Sequence, residues 1–229
     1  MSEQKRPDRI LLTKRNKTPF AMSRRQRNII FAVCALLAAF FIWLDHSRIE
    51  PSRQQHSQSD ADQKSYDVVK YHGRTFIVVN AVDGDTIDIN IPDGKYENTR
   101  IRLWGVDTPE TKHPSIGVMY YGPEAAEFTK GLTLGKKVVI YLDEDNNTRG
   151  YYGRLLAYVK LADGRYLNEV LLEEGYAYAD VRFQHSFYNK YKQLQAAASS
   201  GKKGLWAEVT RDQLPEWLQR MKPNLLNPP

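Results

Sequence analysis

The pair Asp83-Gly84, set between the apolar runs 75–82 (TFIVVNAV) and 87–91 (IDINI), is the strongest constraint on how this chain folds. An Asp-Gly step flanked by strand-like runs is a tight-turn signal, so an antiparallel hairpin is expected there. Residues 98–106 (NTRIRLWGV) then alternate, with Ile101 and Leu103 facing one way and Arg100 and Arg102 the other. Runs at 137–142 and 155–161 supply two more strands around a turn-rich loop, 143–153. Pro123 opens a helical pattern through Leu132, at the position where proline's missing N–H costs nothing. Residues 167–174 read as a short helix closed by Gly175, and 186–199 as a third. Five strands and three helices in about 140 residues predict a small closed or half-closed β-barrel carrying helices.

Outside that pattern the chain changes character. Residues 29–44 (IIFAVCALLAAFFIWL) are sixteen positions without a charge. As a helix they would span about 24 Å, short of a ~30 Å hydrocarbon core, with Arg27 and Trp43 placed to reach the two interfaces. The reading taken is an uncleaved signal anchor over 29–45, in preference to a cleaved signal peptide, because no small-x-small site follows Leu44. Residues 46–66 are polar and rich in Ser, Gln and Asp, which predicts a flexible linker. The expected organisation is a basic cytoplasmic tail (1–28), a transmembrane segment (29–45), the linker (46–66), one domain (67–207) and a C-terminal tail (208–229). Within that tail, 213–221 form a short amphipathic piece.

Charge follows the same division. The whole chain is +6, but residues 1–28 hold nine Lys/Arg against two acids, a net +7 that leaves −1 for everything else. From 67 to 207 the 18 basic and 18 acidic residues cancel, so net charge says nothing about a nucleic-acid partner of the domain. It does orient the chain: basic residues stay on the cytoplasmic side, which puts the domain outside the membrane. The single cysteine, Cys34, excludes a disulfide framework and any Cys-based zinc site within one chain. The five histidines show no metal-ligand spacing.

Three short motifs carry chemistry: Asp83-Gly84-Asp85-Thr86, then Arg102 five residues ahead of Asp107-Thr108-Pro109-Glu110, then Tyr152-Gly153-Arg154. Each alone is a turn or strand exit. Together they describe a phosphodiester hydrolase. Asp85 and Asp107 are two carboxylates for a hard divalent cation, and the Thr108 carbonyl adds a third oxygen. Glu110 stands close enough to take a proton from an attacking water. Arg102 and Arg154 are planar donors suited to charge building on a phosphate.

In order and spacing these motifs, continued by Tyr121-Gly122-Pro123-Glu124-Ala125 and Asn168-Glu169, make residues 74–207 resemble the thermonuclease (staphylococcal nuclease) family. The resemblance implies a five-stranded OB-fold barrel with three helices, so the expected fold class is α+β, mainly β, with the transmembrane helix read from the charge-free stretch ahead of it. It implies a calcium-dependent nuclease acting on DNA and RNA, leaving 3′-phosphate and 5′-hydroxyl ends, with no obligate protein partner. By the family's motif the calcium ligands fall on Asp85, Asp107 and Thr108, the general base on Glu110, and the phosphate-binding arginines on Arg102 and Arg154. Asp83 matches a second acidic position, expected to shape the turn or to support the cation ligands from outside. Tyr152 and Phe183 are the expected substrate-binding side chains; Phe183 stands where such members carry a tyrosine, so it can stack on a base but cannot donate a hydroxyl hydrogen bond. The loop 115–120 lacks the lysines often found there, and Tyr151 replaces a common lysine. The rival expectation is a membrane-tethered OB-fold that binds nucleic acid without cutting it.

Overall fold

The computed structural model describes residues 24–111 and 117–226; the side chains of 27 and 42–58 also lie outside the description. The expectations for 1–23, for 112–116 of the loop after Glu110, and for 227–229 therefore fall on residues outside it. Contacts divide the chain into two units, 1–56 and 57–229.

The first helix, α1, runs Arg24–Tyr71. In the N-terminal unit its apolar side chains, among them Phe31, Leu36 and Phe41, are exposed. No helix among the described residues is long and apolar enough to cross a membrane, so the transmembrane helix expected over 29–45 is not found. Sixteen uncharged residues fall short of a full span, and the polar 46–66 follow directly. The expected linker also differs: 46–66 fall within α1.

In the second unit the end of that helix is fastened to the domain. Asp67 is fully buried and accepts hydrogen bonds from Arg149 Nε at 2.8 Å, Arg149 Nη2 at 2.6 Å and Thr148 Oγ1 at 2.7 Å. Tyr71, also fully buried, bonds Thr99 Oγ1 at 3.0 Å. Both residues belong to the expected domain, 67–207, and lie just past the expected linker, 46–66.

The domain is built from β1 (Arg74–Ala81), β2 (Thr86–Ile89), β3 (Thr99–Leu103), β4 (Val106–Asp107), α2 (Gly122–Thr133), β5 (Lys137–Tyr141), β6 (Leu155–Lys160), α3 (Leu167–Glu173), β7 (Tyr178–Ala179), α4 (Tyr188–Ser200) and α5 (Glu216–Met221). Five strands close a barrel in the order β1-β2-β3-β6-β5, with β3 and β6 parallel and the other pairs antiparallel. This is the small closed barrel the strand pattern predicted, and it fits the OB-fold that the resemblance implied. The alternation in β3 is realised: Ile101 and Leu103 are buried, Arg100 is exposed and Arg102 half-buried. They meet Val78, Ile87, Ile89, Ile140 and Leu155 in the barrel core. Burial of a side chain of this size stabilises by roughly 1.5–3 kcal/mol, so the barrel interior dominates the fold's stability.

Helices α2, α3 and α4 are the three expected. Asn168, fully buried on α3, accepts the Val159 amide at 3.0 Å and donates to the Trp104 carbonyl at 3.0 Å, tying the helix to two barrel segments. Two further features complete the domain. A two-stranded sheet pairs β4 with β7, Asp107 opposite Tyr178. The tail forms a second core in which Leu214 and Leu218 join Tyr178, Trp206 and Val209.

Candidate active site

Register places the first two carboxylates. In the β2–β3 ladder Thr86 pairs with Arg102, so Asp85, one residue earlier, lies beside the arginine at the barrel's edge. The Asp85 carbonyl accepts the Leu103 amide at 2.8 Å, which fixes that corner. The chain then turns at Trp104-Gly105 and returns as β4, bringing Asp107 back to the same edge.

Asp85 is buried and fully engaged. Its Oδ2 accepts from the Thr108 amide at 2.8 Å and the Thr108 hydroxyl at 3.0 Å, and its Oδ1 from the Thr86 hydroxyl at 3.1 Å. The Arg102 guanidinium bridges the pair, Nη1 against Asp85 Oδ1 and Nη2 against Asp107 Oδ1. Asp83 accepts the Asp85 amide at 3.1 Å across the turn. Burial pushes the Asp83 carboxyl up, and Arg102, Thr86 and Arg154 only partly oppose the rise. From α2, Thr129 Oγ1 donates to the Gly84 carbonyl at 2.6 Å and holds the turn down.

Two oxygens on separate elements that converge on one guanidinium converge on one point. Hard carboxylate donors with two negative charges suit a hard divalent cation such as calcium, so Asp85 and Asp107 fit that role. Among the described residues no group of three or more His, Cys, Asp or Glu is placed to hold a metal ion.

Glu110 lines a groove of about 710 Å³ together with Asp107 and Thr108. Its backbone is set by α2: the Glu110 carbonyl accepts the Met119 amide at 2.9 Å, and a β-carbon on Gly122 would stand 2.6 Å from that oxygen. Arg154 and Tyr152 line a second groove of about 470 Å³, with Asp88 and Arg100. Burial lowers the Arg154 guanidinium, the like charge of Arg102 lowers it further, and Asp83 opposes both. Arg154 is thus within electrostatic reach of Arg102 and Asp83. Phe183 stacks on Trp104, ring centroids 6.1 Å apart, and is half exposed.

The family model for staphylococcal nuclease homologues matches residues 100–208. The thermonuclease of Staphylococcus hyicus is 39% identical over 145 residues, 63% of this chain and 82% of that protein. The chain belongs to the staphylococcal nuclease family.

Two other relatives agree. The thermonuclease of Staphylococcus intermedius is 41% identical over 138 residues, covering 58% of this chain and 75% of that one. Endonuclease YncB of Bacillus subtilis is 37% identical over 130 residues, 56% of this chain and 59% of its own. In this family member the structure gathers Asp85, Arg102, Asp107 and Thr108 into one cluster, with Glu110 on the groove beside it. Arg154 and Tyr152 lie on the neighbouring groove, and Phe183 on Trp104. Arg102, expected as a phosphate clamp, is occupied by the two carboxylates.

Two residues at the cluster escaped the sequence. Arg182 pairs with Asp180 and lies 3.6 Å from Asp107 Oδ1. Trp217, from α5, donates its indole N–H to Asp107 Oδ2 at 2.8 Å. No spacing signal links residues 110 positions apart, and the tail carried no motif.

Proposed function

We propose that this nuclease cuts DNA and RNA in a calcium-dependent reaction, by direct attack of water on the phosphodiester, leaving 3′-phosphate and 5′-hydroxyl ends. The observation that carries the reading is the convergence of Asp85 and Asp107 on one guanidinium, with Glu110 on the adjoining groove. Phosphodiester hydrolysis needs little covalent chemistry from the protein, so positioning and charge supply most of the rate. A bound calcium would supply charge stabilisation at a phosphate oxygen and a lower pKa for water. Asp85 and Asp107 would hold it, and their move onto the cation would free the Arg102 guanidinium to meet the phosphate. Glu110 takes the proton of the attacking water. Arg154 donates to the phosphate from the neighbouring groove, and Tyr152, exposed at its rim, and Phe183 offer faces for bases.

Export of the domain across the cytoplasmic membrane is part of this proposal, supported by the nine basic residues ahead of the charge-free stretch. Protease added to intact cells that express the full chain should then remove the domain while a cytoplasmic marker survives; protection of both would refute it.

The end chemistry is read directly. Fragments from a calcium digest should accept phosphate from a polynucleotide kinase without prior phosphatase treatment, and chelation should stop their production. Fragments that need dephosphorylation first would overturn the proposed ends.

A further inference from the structure

The family match ends at residue 208, yet the chain continues into α5, and α5 reaches the carboxylate cluster. We propose that Trp217 is a positioning residue for Asp107, so that the C-terminal tail completes the cation site of this nuclease. The proposal rests on the reading that Asp85 and Asp107 hold calcium.

Three contacts support it. The Trp217 indole N–H donates to Asp107 Oδ2 at 2.8 Å, while Asp107 Oδ1 faces Arg102, so each oxygen of the carboxylate has its own donor. A carboxylate hydrogen-bonded at one oxygen is fixed in rotation and presents the other oxygen in one direction. Arg182 lies over the Trp217 ring, its guanidinium carbon 4.4 Å from the ring centroid. Arg182 is itself fixed by paired bonds to Asp180, both 2.8 Å, so the indole rests on a rigid shelf. Leu214 and Leu218, both buried in the second core, clamp the tail on either side of the indole.

This arrangement has a chemical consequence. A six-residue helix has little stability of its own. Its burial of Leu218 and its bond to Asp107 therefore form together, and the tail contributes to the site only when docked. With Oδ2 committed to the indole, Asp107 would meet a cation through Oδ1 alone.

The test is cation binding by the full-length protein, measured by calorimetric titration with calcium and by terbium emission excited through tryptophan. Trp217→Phe leaves an aromatic ring beside Arg182 while removing the N–H donor together with the indole. It should weaken calcium binding threefold to tenfold, about 0.7–1.4 kcal/mol, with the melting temperature unchanged. It should also abolish most of the calcium-displaceable terbium emission at saturating terbium, because the sensitising indole beside the ion is gone. Equal calcium affinity in Trp217→Phe and wild type, or equal terbium emission at saturation, would overturn the role of the tail while leaving the calcium site standing. Absence of calcium and terbium binding by the wild-type protein would overturn the calcium reading and this proposal with it. Should Trp217→Phe fail to fold, the terbium emission of the wild-type protein decides: emission displaced by calcium and lost in Asp107→Asn supports the placement, and its absence refutes it.

Discussion

Gly84 and Thr108 are in such close contact that a β-carbon on Gly84 would stand 2.7 Å from the Thr108 hydroxyl oxygen. This approach lets the hairpin turn and the end of β4 share Asp85, whose Oδ2 takes both the amide and the hydroxyl of Thr108. The glycine is needed for closeness here, beyond its usual service in a turn. Gly84→Ala should destabilise the protein by about 1–3 kcal/mol through overpacking, and lower activity further by parting Asp85 from Asp107. Urea unfolding and a nuclease assay on the same sample check this. Wild-type stability and rate together would show that the contact relaxes without effect.

The buried Asp67 carboxylate joins α1 to the loop that carries Arg154. Arg149 pairs with Asp67 and Asp93 and also donates to the Gly153 carbonyl at 3.1 Å, one residue before Arg154. Asp67→Ala leaves a largely buried guanidinium without one of its two carboxylates, and should cost about 3 kcal/mol. Asp163→Ala, which breaks an exposed pair with Arg165, should leave the unfolding midpoint where it was. Equal midpoints for the two variants would remove Asp67 from the stability of the domain.

Asp143 gives the domain a specific acid sensitivity. Burial alone would raise its carboxyl, but the Ser186 amide, the Tyr158 hydroxyl and Asn146 overcome burial and hold it well below the usual carboxylate range. The folded state therefore gives up this proton more readily than the unfolded chain. The stabilisation is complete above the unfolded value, about 3.9, and is lost as pH falls through it toward the folded value. Asp143→Asn should lower stability at pH 7, by about 1–3 kcal/mol for donors left poorly matched, and flatten the decline below pH 4. Chemical denaturation at pH 7, 4 and 3 checks this; parallel declines for variant and wild type would contradict it.

Much of this was legible in the chain because it is local. Asp83-Gly84 and the alternation at 100–103 each specify a hairpin turn or a strand face within a few residues, and the barrel follows from their order. The carboxylate cluster was legible through motif spacing, since Arg102 and Asp107 sit five residues apart on one turn. Trp217 and Arg182 were not, because their contacts depend on how the tail packs against Leu205 and Tyr178 rather than on any period in the sequence. The bridging position of Arg102 was equally hidden: alternation gives the face of a side chain, and only the β2–β3 register gives its partners. For 46–66, low apolar content suggested a linker, and the buried Asp67–Arg149 pair that fastens its end spans 82 positions of sequence.

The most direct measurement is the rate of cleavage of denatured DNA by the full-length protein, with calcium and with a chelator, for wild type and Glu110→Gln. Calcium-dependent cleavage by wild type, reduced at least a hundredfold in a folded Glu110→Gln, is the expected result; that loss corresponds to about 2.7 kcal/mol of transition-state stabilisation. A folded Glu110→Gln that keeps more than about a tenth of the wild-type rate, less than ~1.4 kcal/mol lost, would contradict the assignment of proton removal to Glu110. Cleavage that persists in the chelator would contradict the role given to Asp85 and Asp107.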